Sequence, residues 1–483
     1  MPEPETDKAP GRGAVLLSRL SGGRLDAASS LSALRGSETA KAVGLAAAMI
    51  VNNVIALGST VVFARLLTDY GSLAALISYF LILSVVGQAI QVATAREGVL
   101  GHLGVGAALT ATVRKWTINL LLFTLAITVV SVILRNPIAQ AVGVKHDQWA
   151  AAIGLPAAGL WLELSMLRGV LQGIGDYKGV GLSLIGEQGA RLVFGAALAA
   201  AGLGVTGAYL GTPLSFIVMG LFCVSRLRAH VESVTTEPMG AVTEAPPAAL
   251  GLWTHVRRAW APIAGLIVIA VLQNIDIIAA KHRFSKDVAS SYGATAVAAK
   301  VLIWVAMGAG FYLVPEVSRR RANGEDTRPI LLSALGIVAV CAIPVLLIFA
   351  VEPHLLLKLA FGPKRTKAAN SLFVLGAAFT VLAATYLAIQ YMLALKRTWF
   401  LVVVGAVAIA EPILLLNASR QPAQFAAVVL GVQAVGALLA FGLALSRGNA
   451  PPKRGEPPRR PKRAVSREPA SGEPAGAGAG AHR

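Results

Sequence analysis

Five charged side chains stand within long apolar stretches of the sequence, where a charge is costly to place. They are Glu187, Arg191, Asp276, Lys300 and Glu411. A charge in the middle of a membrane helix costs about 3 kcal/mol or more, so such residues pair with one another or face a cavity. We therefore expect Arg191 and Lys300 to supply positive charge to a lumen that receives an anionic ligand.

The same residues could instead neutralise one another. Glu187 and Arg191 are four residues apart and share a helix face. Asp276 and Lys300 stand at similar depths in neighbouring stretches, so we expect them to approach each other. Pairing and exposure to a lumen are compatible for this second pair. Glu163 is a weaker example of the same kind in a separate apolar stretch.

Side-chain amides accompany these charges in the apolar stretches: Asn52, Asn53, Gln88, Gln91, Gln273, Asn274 and Gln390. Amides within a membrane more often tie helices together than bind a ligand, because they donate and accept hydrogen bonds between helices. Asn52, Asn53 and Gln273 are nevertheless candidates for contact with a ligand in the lumen.

Motifs of several enzyme classes are absent from the sequence. There is no GxxxxGK[ST] phosphate loop, no DxD pair, and no HExxH or CxxC pattern for a metal. The longest loop predicted on the outer side, about 351–368, is too short for a catalytic domain. We therefore expect no enzymatic activity, no catalytic residue, and no metal or other cofactor.

The composition indicates which elements must position these residues. Hydrophobic residues make up 55% of the 483 and charged residues only 14%, against about 25% charged in soluble domains. This excludes a soluble enzyme, a disordered chain and a secreted disulfide scaffold. The net charge of +19 would suggest nucleic acid in a soluble protein. Here the basic residues flank apolar stretches, so we expect a membrane and no nucleic-acid partner.

The apolar stretches predict twelve membrane-spanning helices, since many reach the roughly 20 residues that cross a bilayer. The predicted spans are 42–64, 72–95, 116–134, 149–171, 180–202, 206–227, 259–281, 290–315, 329–350, 369–393, 398–417 and 423–446. Arg191 and Lys300 are the basic residues expected within spans. Loops on one side carry most of the others, which predicts a plasma-membrane protein with both termini in the cytoplasm.

The predicted domain organisation has five parts. They are a cytoplasmic N-terminal segment (1–41), an N-lobe (42–227), a cytoplasmic linker (228–258), a C-lobe (259–446) and a basic C-terminal tail (447–483). The tail is rich in Pro, Gly, Ala, Lys and Arg, a composition typical of disorder. Its basic doublets could bind anionic lipids, or the tail could simply be solvated.

The two lobes repeat a short pattern. Tyr70-Gly71 and Tyr292-Gly293 stand at the start of the second span of each half, and a basic residue, Arg96 or Arg319, follows after similar spacing. Six spans in each half make both halves run in the same direction. The sequence thus predicts a parallel repeat about an axis along the membrane normal, with a substrate held between two bundles.

Four segments resemble a known family: ARLLTDYGSLAALISYF (64–80), LRGVLQGIGDYKGVGLSL (167–184), QNIDIIAAKH (273–282) and SSYGATAVAAKVLIWVAMGAGFYLVPEVSRR (290–320). They are similar to the oligosaccharide flippase branch of the multidrug/oligosaccharidyl-lipid/polysaccharide (MOP) exporter superfamily. The resemblance covers about residues 42–446. It implies an all-α membrane protein with two six-helix lobes around a V-shaped lumen.

The resemblance also implies a function. Members of that branch flip polyprenyl-diphosphate-linked oligosaccharide from the cytoplasmic to the outer leaflet by alternating access, in polysaccharide biosynthesis. Lys300 fills the place of their lumen-facing basic residue, Arg65 that of an arginine at the end of the first span, and Asp276 matches a Gln-Asn-x-Asp stretch. The first span carries asparagines where peptidoglycan-precursor flippases often have arginines, and the long basic tail is not part of the family pattern.

Three other functions stay open at this stage. A cation-coupled multidrug-type antiporter of the same superfamily would use Asp276, Glu411 or Glu187 to carry its coupling ion. A sugar polymerase or ligase would need a large outer loop, which is not evident. A non-transporting scaffold could instead hold other proteins of a glycan-assembly complex.

Overall fold

The computed structural model describes residues 38–236 and 260–446, together with residues 254 and 257. Within these ranges the chain is helical and has no β-strand. Its helices are α1 (Glu38–Leu66), α2 (Tyr70–Val99), α3 (Ala107–Ile133), α4 (Arg135–Val142), α5 (Gln148–Gly173), α6 (Tyr177–Leu198), α7 (Gly204–Thr236), α8 (Trp260–Arg283), α9 (Lys286–Ala299), α10 (Val301–Ala322), α11 (Arg328–Val351), α12 (Pro353–Phe361), α13 (Leu372–Ala394), α14 (Phe400–Asn417) and α15 (Pro422–Leu445).

Eleven helical stretches in the described residues are long and apolar enough to cross a membrane. One of them, Tyr177–Ser233, has 57 residues, so a straight helix of that length would extend about 85 Å. The chain instead turns back at Gly202 and Gly204, whose φ angles of 99° and 52° leave the helical region. Helices α6 and α7 then pack side by side. This stretch contributes two crossings, which gives the twelve spans predicted from the sequence.

Two helices extend beyond the predicted spans. Helix α3 begins at Ala107 rather than at 116, because the charged residues Arg114 and Lys115 end the apolar stretch without ending the helix. Helix α7 continues to Thr236, into the predicted linker, since RAHVESV contains no Pro or Gly to stop it. The N-terminal segment, the rest of the linker and the tail lie outside the described residues.

Helix packing repeats between the halves. In the first half α1 packs on α6, α2 and α3 pack on α5, and α7 packs on both α5 and α6. In the second half α8 packs on α14, α10 and α11 pack on α13, and α15 packs on both α13 and α14. A short helix follows the third span of each half, α4 or α12, and a glycine with positive φ ends it. This order agrees with the predicted parallel repeat.

The repeated Tyr-Gly pairs meet where the halves touch. Helix α2 packs against α8 and α9, and the Gly71 N–H donates to Ser290 Oγ at 2.9 Å. A Cβ on Gly71 would lie 3.0 Å from the Ser290 nitrogen, and one on Gly293 would lie 3.0 Å from the Ala74 Cβ. Glycine is therefore required for this close approach. We call the contact of α1 and α2 with α8, α9 and α12 the seam.

Two arginines fasten the seam by capping helix ends. Arg365 donates from Nε to the Ala64 carbonyl at 3.0 Å and from Nη2 to the Leu67 carbonyl at 2.5 Å. Arg65 donates in the opposite direction, to the carbonyls of Ala360 at 3.2 Å and Leu359 at 2.5 Å. The last carbonyls of a helix lack partners within it, so each arginine satisfies groups that the other half leaves open.

All hydrogen bonds between the halves for which both partners are described lie at one end of the molecule. They include the bonds above, Lys281 to Asp69 at 2.8 and 3.0 Å, and His282 to the Ala141 carbonyl at 3.0 Å. This end holds residues 67–69, 134–147, 284–285 and 352–371, and we call it the closed face. The opposite end is called the open face.

Candidate functional site

A buried ion pair lies in the second half of the molecule. Lys300 Nζ is 3.6 Å from Asp276 Oδ1 and 3.4 Å from the side-chain oxygen of Asn274. The Tyr292 hydroxyl donates to Asp276 Oδ2 at 3.3 Å. Asp276 is fully buried and Lys300 is 8% exposed. The predicted approach of Asp276 and Lys300 is therefore confirmed, but Lys300 is covered rather than open to a lumen in this conformation.

The local backbone explains where the Lys300 ammonium lies. Lys300 stands at the junction between α9 and α10, where the eighth crossing is interrupted. Its side chain reaches back toward α8 and lies over the ring of Phe379, with Nζ 5.3 Å from the ring centroid. An aromatic face attracts a cation. The ammonium thus has three kinds of partner: a carboxylate, an amide oxygen and a ring.

A second acid approaches the same pair. Glu411, on α14, is fully buried and accepts from the Gln433 amide at 3.2 and 3.3 Å. Gln433 also donates to the Leu272 carbonyl of α8 at 3.1 Å. Glu411 lies close enough to interact electrostatically with both Asp276 and Lys300. We call Asp276, Lys300 and Glu411 the C-half cluster: two carboxyl groups and one ammonium.

The first half holds the opposite arrangement. Glu187 accepts from Arg191 Nη2 at 2.8 Å, and its other oxygen lies 3.0 Å from Arg168 Nη1. Arg168 is fully buried and donates to Ser183 at 2.7 and 2.8 Å. Its guanidinium also lies over the Trp161 ring. We call Arg168, Glu187 and Arg191 the N-half cluster: two guanidinium groups and one carboxylate.

Sequence reasoning missed Arg168. The residue lies inside the predicted fourth span, 149–171, but only Arg191 and Lys300 were counted as basic residues within spans. The structure places it inside α5, close to the end of the crossing, where it pairs with Glu187 on α6. A signal was available, because LRGVLQG continues the apolar helix for a full turn beyond Arg168. The proposed neutralisation of Arg191 by Glu187 is correct but incomplete, since Glu187 is shared.

The structure does not bring the remaining candidates into either cluster. Arg65 lies at the seam, with its guanidinium bound to carbonyls of α12. Asn52 and Asn53 lie on α1, where the Asn52 amide donates to Asn53 at 3.3 Å. Gln273 is half-buried on α8, next to Asn274. The described residues contain no group of three His, Cys, Asp or Glu side chains that could hold a metal ion.

Two acids at the closed face respond differently to their surroundings. Burial alone would raise the pKa of Asp69, but hydrogen bonds from Lys281 and Ser72 stabilise its carboxylate and hold the pKa below its ordinary value. Burial, and then the negative charge of Asp69, raise the pKa of Asp147 above its ordinary value. Asp69 therefore fastens the seam as a carboxylate, whereas an ionised Asp147 opposes it.

Comparison with known proteins places this geometry in a wider group. No protein-family model and no curated protein sequence matches the chain. Among solved structures, an inward-facing multidrug-resistance MATE family transporter of the MOP superfamily is similar at a TM-score of 0.65 and 13% identity, covering 82% of this chain and 93% of that one. The lipid II flippase MurJ, in an inward closed conformation, is similar at a TM-score of 0.62 and 12% identity, covering 83% and 87%.

An outward-facing conformation of a MATE family transporter is also similar, with a TM-score of 0.51 and 14% identity over 85% of this chain and 96% of that one. The inward-facing structure has the higher score of these two. Identities this low establish the fold alone. The chain therefore has the fold of the MOP-superfamily membrane transporters, as its sequence resemblance predicted.

Proposed function

We propose that the protein is a flippase that moves a polyprenyl-diphosphate-linked oligosaccharide from the cytoplasmic to the outer leaflet. The observation that carries the proposal is the buried basic charge in each half of the molecule, on Arg168 and Arg191 in the N-half cluster and on Lys300 in the C-half cluster. Moving a charged diphosphate into a medium of low dielectric constant costs a large electrostatic free energy. Fixed cations in both halves of the protein offset part of that cost.

The two clusters suit a substrate that is charged only in its headgroup. The headgroup passes between the halves, while the polyprenyl tail stays in the bilayer and needs no enclosure. Alternating access requires the seam to part while the open face closes. In this proposal the closed face is the outer one, the conformation described is open to the cytoplasm, and both termini lie in the cytoplasm.

The remaining partners follow from the same proposal. The protein acts in the plasma membrane beside glycan-assembly proteins that supply its lipid-linked substrate. The basic tail, which lies outside the described residues, holds anionic lipid at the cytoplasmic surface, at about 1 kcal/mol per basic residue. Neither transport nor binding requires a cofactor or a nucleic acid.

A reconstitution experiment tests the proposal. Purified full-length protein is placed in liposomes that contain a polyprenyl diphosphate bearing a fluorescent sugar, and a membrane-impermeant quencher reports the fraction of probe in the outer leaflet. We expect rapid equilibration between leaflets, much slower equilibration for an otherwise identical probe without the diphosphate, and none in protein-free liposomes. Equal rates for the charged and uncharged probes would contradict the proposal.

A cation-coupled antiporter of the MATE type is the second candidate function, because the C-half cluster brings two carboxyl groups, Asp276 and Glu411, to a single ammonium. Buried carboxyl groups are the usual means of carrying a coupling ion through a membrane. The same liposomes distinguish this function, since an antiporter would exchange a lipophilic cation for protons or sodium and leave the diphosphate probe in place. A scaffold would move neither.

A further inference from the structure

Glu163 is a buried acid that neither cluster uses. It lies midway along α5 and is 8% exposed. The Thr117 side chain on α3 lies next to the carboxyl group, and Glu163 Oε2 is buried without a hydrogen-bond partner. Within the described residues no Lys, Arg or His forms an ion pair with Glu163.

The acids of the clusters show how unusual this is. Glu187 has two guanidinium partners, Asp276 has an ammonium and a phenol, and Glu411 has an amide. A lone carboxylate in the apolar middle of a membrane costs several kcal/mol, and a neutral carboxylic acid avoids that cost. Glu163 therefore carries a proton in the conformation described.

The interface between α3 and α5 is closely packed on both sides of Glu163. Helix α3 turns one face toward α5, where Thr117, Thr124 and Ser131 follow at seven-residue intervals. On the side of Glu163 toward the closed face, the two helices approach each other closely. A Cβ on Gly159 would lie only 2.4 Å from the Thr124 hydroxyl oxygen, and Ser131 donates to the Ala152 carbonyl at 2.7 Å.

Below Glu163, toward the open face, α3 contributes the buried side chains of Val113 and Leu109. With the close contacts on the other side, these residues pack the interface along most of its length. We expect the proton to exchange with water faster once α3 and α5 change their contact.

We propose that Glu163 is an occluded proton-binding site of the transporter, which exchanges its proton with water when the halves change conformation. The carboxyl O–H bond breaks, the proton passes to water, and the carboxylate that remains is hydrated through the opening between α3 and α5. Rebinding of a proton allows the interface to close again. The coupling of this cycle to substrate movement rests on the proposed transport function, whereas the proton site itself does not.

Infrared spectroscopy tests the site without any substrate. Purified full-length protein at about pH 7 should show the C=O stretching bands of buried carboxylic acids, and Glu163→Gln should remove one of them. The neutral amide has nearly the same shape as the acid and should preserve folding. Glu352→Gln is the matched control, because Glu352 is an exposed acid at the end of α11.

A second variant keeps the acid and changes only its partner. Thr117→Val should leave the band present but shift its frequency, since an apolar methyl group replaces the hydroxyl next to the acid. Identical carboxylic acid bands in the wild type and Glu163→Gln would overturn the proposal. So would a band that disappears in Glu352→Gln to the same extent.

The coupling is tested in liposomes with the diphosphate probe and a transmembrane pH gradient. We expect the gradient to accelerate transport by the wild type and by Glu352→Gln, and to have no effect on Glu163→Gln, which equilibrates the probe only at the rate seen without a gradient. Equal stimulation of wild type and Glu163→Gln would overturn the coupling. A wild type that does not move the probe would contradict the proposed transport function, and the infrared result would then decide the proton site alone.

Discussion

Arg65 and Arg365 cap helix ends reciprocally across the seam. Each guanidinium donates to carbonyls at the end of a helix in the opposite half of the chain. Arg365 is 4% exposed and bonds to carbonyls on either side of Arg65 in sequence. The exchange means that neither helix end is satisfied once the halves part. It makes the two arginines the most direct means of controlling which face is closed.

Arg365→Ala should open the closed face. Two buried carbonyls lose a charged donor, which destabilises the closed arrangement by about 3 kcal/mol. The measurement is the rate at which Ser290→Cys reacts with a membrane-impermeant maleimide, in a background without Cys223 and Cys341. Lys364→Ala, which removes a neighbouring exposed charge, is the control, and equal labelling rates in both variants would contradict this role of Arg365.

Asp69→Asn and Asp147→Asn should shift the seam in opposite directions. The lowered pKa of Asp69 means that its contribution is present above the ordinary value of about 3.9 and is lost as pH falls below it. The raised pKa of Asp147 means that its ionisation weakens the seam as pH rises through and above its ordinary value. At about pH 7, the same maleimide assay should therefore show faster labelling in Asp69→Asn and slower labelling in Asp147→Asn. Changes in the same direction would show that the two acids act alike.

Lys300→Ala should impair transport more than membrane insertion, because it leaves a short apolar side chain in a membrane helix. Lys300→Arg should keep partial activity, since the charge persists while its geometry changes. If Lys300 only neutralises Asp276, the double variant Lys300→Ala/Asp276→Asn should recover transport. If Lys300 binds the diphosphate, the double variant stays inactive although it folds. Full activity of Lys300→Ala would refute a role for the C-half cluster in binding the headgroup.

Arg168→Met and Arg191→Met should separate folding from binding in the N-half cluster. Arg168 is fully buried, so its loss leaves Glu187 without its inner partner and should destabilise the protein by about 3 kcal/mol or more. Arg191→Met leaves the Arg168–Glu187 pair in place and should fold, but transport the diphosphate probe more slowly. Thermal unfolding and the liposome assay provide the two readouts. A stable Arg168→Met protein would contradict the structural role given to that residue.

Cysteine labelling should establish the orientation of the chain. Sites at Asn323 and Glu325 should react only from the cytoplasmic side, and sites at Lys286 and Lys364 only from the outer side. The expectation follows from the excess of basic residues in the loops of the open face. Labelling of Asn323 from outside would invert the orientation and, with it, the proposed direction of transport.

The sequence predicted the parts of this fold that depend on local hydropathy. The twelve apolar stretches correspond to twelve crossings in the structure. The similar depths of Lys300 and Asp276 in their spans correctly predicted that the two side chains approach each other. The repeated Tyr-Gly pair was visible as a pattern, but its part in the seam was not. That part depends on the distance between Gly71 and Ser290, residues more than two hundred positions apart, and hydropathy carries no information about such partners.

The same limit explains the errors at the candidate site. Arg168 and Arg365 both stand near the ends of apolar stretches, where basic residues normally face water. Each is instead buried because it binds a specific acceptor in another segment. The acceptor of Arg168 is Glu187, and that of Arg365 is the end of α1. Arg65 was matched by resemblance to an arginine at the end of the first span, and in this conformation its guanidinium donates to carbonyls of α12.

The seam also determines how much a substrate must contribute to each transport cycle. Its arginine caps and the Lys281–Asp69 pair bias the resting population toward one conformation. To reverse a ratio of about 99 to 1, a ligand must bind the rare conformation about ten-thousandfold more tightly, a difference of about 5.5 kcal/mol. A headgroup that engages only one half binds both conformations almost equally and shifts nothing. Selectivity would then lie in the spacing between two charges on the substrate, because only a ligand long enough to reach both halves could change the balance between them.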